Sequence, residues 1–205
     1  MGTRHLIAVQ YKNEYKIAQY GQWDGYLEGQ GASILSFLTN DFDRNKFISN
    51  LEKCRYITDE EYIDRWKEFG IDLTADTFVS MDIGNKFYAK FPELNRDIGS
   101  DILQMVQNAD GGLVLKDSIN FAYDGLYCEY GYIIDLDKNT FEIYSMSSDK
   151  CKMNKSERFY QSEPTKYTSC EYYPIRLVES YDLSKLPDEE EFFRRCNKIL
   201  GYDDD

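Results

Sequence analysis

Between Ala18 and Gly31 the chain reads A-Q-Y-G-Q-W-D-G-Y-L-E-G-Q-G, and no other segment restricts the fold as strongly. Gly21, Gly25, Gly29 and Gly31 stand at intervals of four, four and two. Glycine opens backbone conformations closed to other residues, so the spacing predicts a tight, shaped loop in place of a helix or strand, with Gly25 at positive φ. Loops carried on a rigid scaffold concentrate binding and catalysis. Gln22, Trp23, Asp24, Tyr26 and Gln30 are therefore the candidate binding residues, and Asp24 and Glu28 the candidate acid–base pair.

The flanks define the scaffold. Leu6, Ala8 and Tyr11 punctuate a strand over residues 4–11, Lys12-Asn13-Glu14 is a turn, and residues 15–20 return as a second strand. Residues 32–38 form a short apolar helix that begins where the loop ends. Helical spacing recurs over 44–53, from Thr58 to Gly70, over 81–91 and over 97–108. Thr58 with Glu61 is a capping-box signature, and Pro92 stops the helix before it. The period then changes to two. Residues 113–115 start a strand, 127–136 and 140–146 flank the turn Asp137-Lys138-Asn139, and 172–181 add a strand. Residues 147–168 are polar and irregular, and 187–200 form a helix whose acidic start and basic end complement its dipole. The expectation is one α+β domain over 1–202 with an acidic disordered tail at 203–205. Its N-terminal hairpin and C-terminal antiparallel strands share a sheet on which the helical middle packs.

Composition removes several functions. No apolar run approaches the roughly 20 residues of a membrane helix, and the N-terminus lacks a signal peptide's apolar core, which predicts a cytoplasmic protein. Gly2 as a myristoylation site is opposed by Arg4, His5 and the immediate strand pattern. A net charge of −13 opposes direct nucleic-acid binding, and lysines and arginines are scattered. The same charge suits either plain solubility or a basic partner, and 18 tyrosines suit both cores and interfaces. Cys54, Cys128, Cys151, Cys170 and Cys196 form no C-x-x-C pair, so they read as small buried hydrophobes with one possible nucleophile among them.

The opening M-G-T-R-x-L together with A-Q-Y-G-Q-W-D-G-Y resembles an uncharacterised family met in phages, bacteria and some fungi. Two further blocks carry the resemblance: Cys128 to Tyr144, and Y-Y-P-I-R-L-V-E-S-Y from Tyr172. A proline commonly follows G-Q-W-D-G-Y in that family, where this chain has Leu27. The resemblance implies a phage or mobile-element origin and carries no activity.

Several chemistries compete at the loop. It lacks the Gly-Lys-Ser/Thr ending of a phosphate loop, although its end meets a helix N-terminus where backbone donors hold anions. Asp24 and Glu28 suit a carboxylate pair, or equally capping of the turn backbone. An N-terminal nucleophile is unsupported, since Gly2 has no nucleophilic side chain and Thr3 lies one residue further in. No metal set stands out; Asp135, Asp137 and Glu142 read as a solvated turn, and His5 as a hydrogen-bonded structural residue. The expected function is non-catalytic binding, without cofactor, of a host or defence protein or small molecule. The alternative is a hydrolase-like enzyme that uses Asp24 and Glu28 on a small polar substrate.

Overall fold

A computed structural model describes residues 2–74, 77–146, 153–167 and 170–201. The first hairpin comprises β1 (His5–Tyr11) and β2 (Glu14–Gly21). A continuous helical run follows over 27–41, α-helical in α1 (Ala32–Ser36) and widened to π-helical turns at Leu27–Gly31 and Phe37–Asp41. Then come α2 (Arg44–Leu51), β3 (Arg55–Tyr56), α3 (Asp59–Lys67), α4 (Met81–Lys90), α5 (Asp101–Asn108) and β4 (Val114–Leu115). The remainder holds β5 (Tyr130–Asp135), β6 (Thr140–Ser145), β7 (Thr165–Tyr167), β8 (Cys170–Tyr172), β9 (Arg176–Asp182) and α6 (Glu189–Leu200).

The main sheet has the order β2-β1-β5-β6-β9. β1 and β5 run parallel, and every other neighbouring pair is antiparallel. Two hairpins thus lie side by side, joined by a parallel pairing that requires a long crossover, and the helical middle is that crossover. Both faces of the central strands are covered. Ile7, Val9, Tyr132 and Ile134 face Leu35, Phe47, Leu103 and Phe192 of the helices, while Leu6, Ala8 and Ile133 pack with Phe159 and Ile175. Each such side chain contributes about 1.5–3 kcal/mol by leaving water. The chain is α+β, with the N-terminal hairpin and the later antiparallel strands in one sheet, as the sequence predicts.

Local signals account for the boundaries. Lys12 and Asn13 adopt φ of 55° and 58°, the left-handed pair that suits a two-residue hairpin turn. Asp137, in the other hairpin's turn, fixes them by accepting both backbone N–H groups at 2.8 Å. The capping box forms: Glu61 N–H donates to Thr58 Oγ1 at 3.1 Å and Thr58 N–H to Glu61 Oε2 at 3.0 Å. α3 and α4 pack around Trp66, Phe87 and Leu94, a cluster separate from the main core.

Four expectations are corrected. Residues 113–115 do not enter the main sheet; Val114 and Leu115 pair in parallel with Arg55 and Tyr56. The strand expected over 172–181 divides into β8 and β9 around Pro174, which has no N–H for a ladder. The helix expected from residue 97 begins at Asp101, behind Gly99 at φ 55°. Asp135 and Glu142 do not belong to a solvated turn: they are 0% and 6% exposed. Arg158, from the polar stretch, reaches Asp135 and donates to both Glu142 oxygens at 2.8 Å, with a further bond to Gln10. Burial opposes both carboxylates, yet the Arg158 bonds outweigh it and hold their pKa values below the ordinary range. The tail at 203–205 lies outside the described residues.

Candidate functional site

The sequence predicts a strand to residue 20 and a glycine loop from there to Gly31; the structure leaves only residues 22–26 as loop. Residues 18–21 continue β2, where Ala18 pairs with Ala8 and Gly21 with His5. Residues 27–31 are already helical, and Tyr26 is the cap at their start. Leu27 holds the first helical position, which favours proline in general, and its side chain is buried in the main core.

Gly25 does not adopt positive φ; Asp24 does, at 56°. Gly25 is small for a different reason. A Cβ there would stand 2.7 Å from the Thr3 carbonyl and 2.8 Å from His5 Cβ, and one on Gly21 would stand 2.1 Å from the His5 ring. The two glycines form the slot that admits the imidazole. The loop is clamped around it: Gly25 N–H donates to Thr3 O at 2.9 Å, and Gly25 O accepts the buried Tyr132 hydroxyl at 2.8 Å. Gln30 N–H donates to Asp24 O at 2.8 Å, while Gln30 Oε1 accepts Ser100 N–H at 2.7 Å, tying the loop to α5. Tyr20 hydroxyl holds Gln22 Oε1 at 2.6 Å.

A cleft of about 50 Å³ results, lined by Gln22, Trp23, Asp24 and Gln30 together with His5, Arg96 and Asp97. Four of the five candidate binding residues meet there; Tyr26 and Glu28 are not on its wall. Trp23 and Tyr26 are 49% and 41% exposed, and Asp24 and Glu28 are exposed as well. The Tyr26 hydroxyl stands 3.5 Å from Asp24 Oδ1, too long to fix either group.

His5 is a buried structural residue, 1% exposed; its ring approaches the Thr3 carbonyl, but neither nitrogen makes a hydrogen bond of good geometry. Burial lowers its pKa to about 4, against the pull of the nearby Thr3 carbonyl and the Asp24 carboxylate. The imidazole is neutral at pH 7, with one nitrogen a donor and the other an acceptor. Its neighbour Arg4 turns to the opposite face, 3.6 Å from Glu129 and over the Tyr127 ring. Arg96 and Asp97 carried no sequence signal for this site; they arrive from the turn before α5.

Three of the five cysteines are quiet. Burial raises the thiol pKa of Cys54, Cys128 and Cys196, the last to about 11, so these three remain protonated and poorly nucleophilic. Cys151 lies outside the described residues. Among the described residues no group of three or more His, Cys, Asp or Glu is placed to hold a metal ion, and no helix is long and apolar enough to cross a membrane. A cleft of about 900 Å³ lies against α3 and α4 and shares only Arg96 and Asp97 with the loop's cleft. No family model, no curated protein and no solved structure matches this chain.

Proposed function

We propose that this chain is a non-catalytic binding protein that grips a partner protein through residues 22–26. One observation carries the reading: two aromatic rings, Trp23 and Tyr26, stand exposed on a loop whose backbone is bonded down on three sides. Exposed Trp and Tyr on a preorganised backbone are the residues that dominate protein interfaces, because large rings bury much area at little entropic cost. The adjoining cleft of about 50 Å³ is well below the roughly 300 Å³ at which small-molecule sites begin. It suits one polar group inserted from a partner's side chain. The likeness of the loop block to the phage family supports a phage or mobile-element origin, and with it a host or defence component as the partner.

A pull-down from host lysate at physiological salt tests this, with Trp23→Ala and Tyr26→Ala compared after both are shown to be folded. A partner retained by the native chain and lost from both variants supports the reading. Equal retention by all three, or no partner at all, overturns it.

A second reading is a hydrolase-like enzyme acting on a small polar substrate. It draws on Asp24 sharing a cleft with an unpartnered, neutral His5, an arrangement in which either group can move a proton. The small volume and the position of Glu28 off the cleft wall weigh against it.

A further inference from the structure

We propose that the cavity between Tyr62, Tyr88, Arg96 and Lys116, with the larger cleft that opens beside it along Trp66, binds a small aromatic anion. The two spaces, about 240 and 900 Å³, share Tyr88 and Arg96 as a common wall. They fall near and within the size range of small-molecule sites.

The charge at this wall is unusual for the chain. The protein carries −13 overall, yet two cationic side chains line one cavity without a buried carboxylate between them. Lys116 Nζ lies 4.7 Å from the centre of the Tyr62 ring and, among the described residues, forms no ion pair. Among the described residues Arg96 pairs only with Asp97, at 3.7 Å, and both side chains are about half exposed. An exposed pair of that length is weak, so an incoming anion displaces it at little cost. Tyr88 adds a hydroxyl that stays protonated, because burial, with neighbouring Tyr62, pushes its pKa up to about 12. Its hydroxyl hydrogen-bonds with Tyr62, which helps hold the proton.

The larger cleft suits the rest of such a ligand. Trp66 is 3% exposed, lines the cleft, and its Nε1–H has no hydrogen-bond partner. Phe78 and Met81, on the same wall, are 88% and 82% exposed and give the cleft an apolar rim. A flat apolar ring covers Phe78 and Met81 beside Trp66 and leaves its anionic group between Arg96 and Lys116. The site adjoins the cleft beside residues 22–26, with Arg96 and Asp97 on both, whereas Lys116 and Tyr62 belong to this site and do not line the loop's cleft.

Calorimetry of the full chain with 2-naphthyl phosphate, 2-naphthoate and uncharged 2-naphthol tests the proposal. At least one anion is expected to bind about tenfold or more tightly than 2-naphthol, as charge-assisted bonds imply. The two anions separate a phosphate-bearing from a carboxylate-bearing ligand, and binding of either supports the site. Lys116→Gln and Arg96→Gln replace exposed side chains, so the variants fold; weakening of the anion in either one, with 2-naphthol unchanged, is the expected signature. The chain has two tryptophans, so a Trp23→Phe background makes Trp66 fluorescence the reporter, and the bound anion is expected to quench it. Failure of both anions to bind at millimolar concentration, equal binding of 2-naphthol, or unchanged anion affinity in both variants would overturn the proposal.

Discussion

The imidazole of His5 occupies the volume that a side chain on Gly21 would need, with a Gly21 Cβ falling 2.1 Å from its Cε1 and Nε2. Neither partner can move far, because the two residues are paired across β1 and β2. Gly21→Ala is therefore expected to destabilise the fold by about 1–3 kcal/mol, the usual cost of overpacking. In a His5→Ala background the same change should cost much less. Urea unfolding of the four proteins in this double-mutant cycle measures the coupling. An equal cost of Gly21→Ala in both backgrounds would show that the ring is not what excludes the side chain.

The lowered pKa of His5 gives a pH dependence of definite sign. The fold keeps the imidazole neutral down to about pH 4, whereas the unfolded chain takes up the proton near pH 6.5. Between those values the unfolded state holds more protons, so stability falls as pH falls, and above the window the histidine contributes no slope. The loss from this group amounts to about 2 kcal/mol by pH 5. His5→Gln should remove that part of the slope. The chain has one histidine, so its Cε1 proton signal reports the titration without ambiguity; a midpoint near 6.5 in the folded protein would contradict the burial described here.

Arg158 joins the second hairpin to the stretch that follows it. Its side chain is 9% exposed and serves two carboxylates that are themselves buried. Arg158→Met should cost about 3–5 kcal/mol, since it removes the buried cation shared by Asp135 and Glu142 and leaves them only hydrogen-bond donors and the exposed Lys138. Adding Asp135→Asn and Glu142→Gln should restore a substantial part, which guanidinium denaturation can check. The native cluster stabilises the chain above the ordinary carboxylate range and loses that contribution as pH falls through the lowered pKa values of Asp135 and Glu142. Arg158→Met should lack this acid sensitivity.

Asp24 stands at φ 56°, where asparagine and glycine are tolerated and β-branched residues are not. Asp24→Asn should change stability by no more than about 0.5 kcal/mol, while Asp24→Val costs about 1–2 kcal/mol. Thermal melts separate the two. If the loop binds its partner as proposed, Asp24→Asn also lowers retention per folded molecule; an unfolded Asp24→Asn variant would make Asp24 a structural turn residue.

Much of the architecture was readable along the chain, because its signals are local. The hairpin of β5 and β6, the Lys12-Asn13 turn, the Thr58–Glu61 capping box and the acidic start of α6 each act over a few residues and form as the sequence predicts, although β5 begins at Tyr130 and not at residue 127. The position of the unusual segment was also legible, and Gln22, Trp23, Asp24 and Gln30 do converge. What the glycines are for was not. Gly21 and Gly25 are required by the ring of His5, sixteen residues or more earlier in sequence, and by the Thr3 carbonyl, not by their own φ. In the same way Asp135 and Glu142 look like turn acids until Arg158 arrives to bury them. The parallel pairing of β1 with β5 and the meeting of Arg96 with the loop belong to this class too. Backbone propensity and periodicity are written within a few residues, whereas steric exclusion and charge compensation between distant segments exist only once the sheet has brought those segments together.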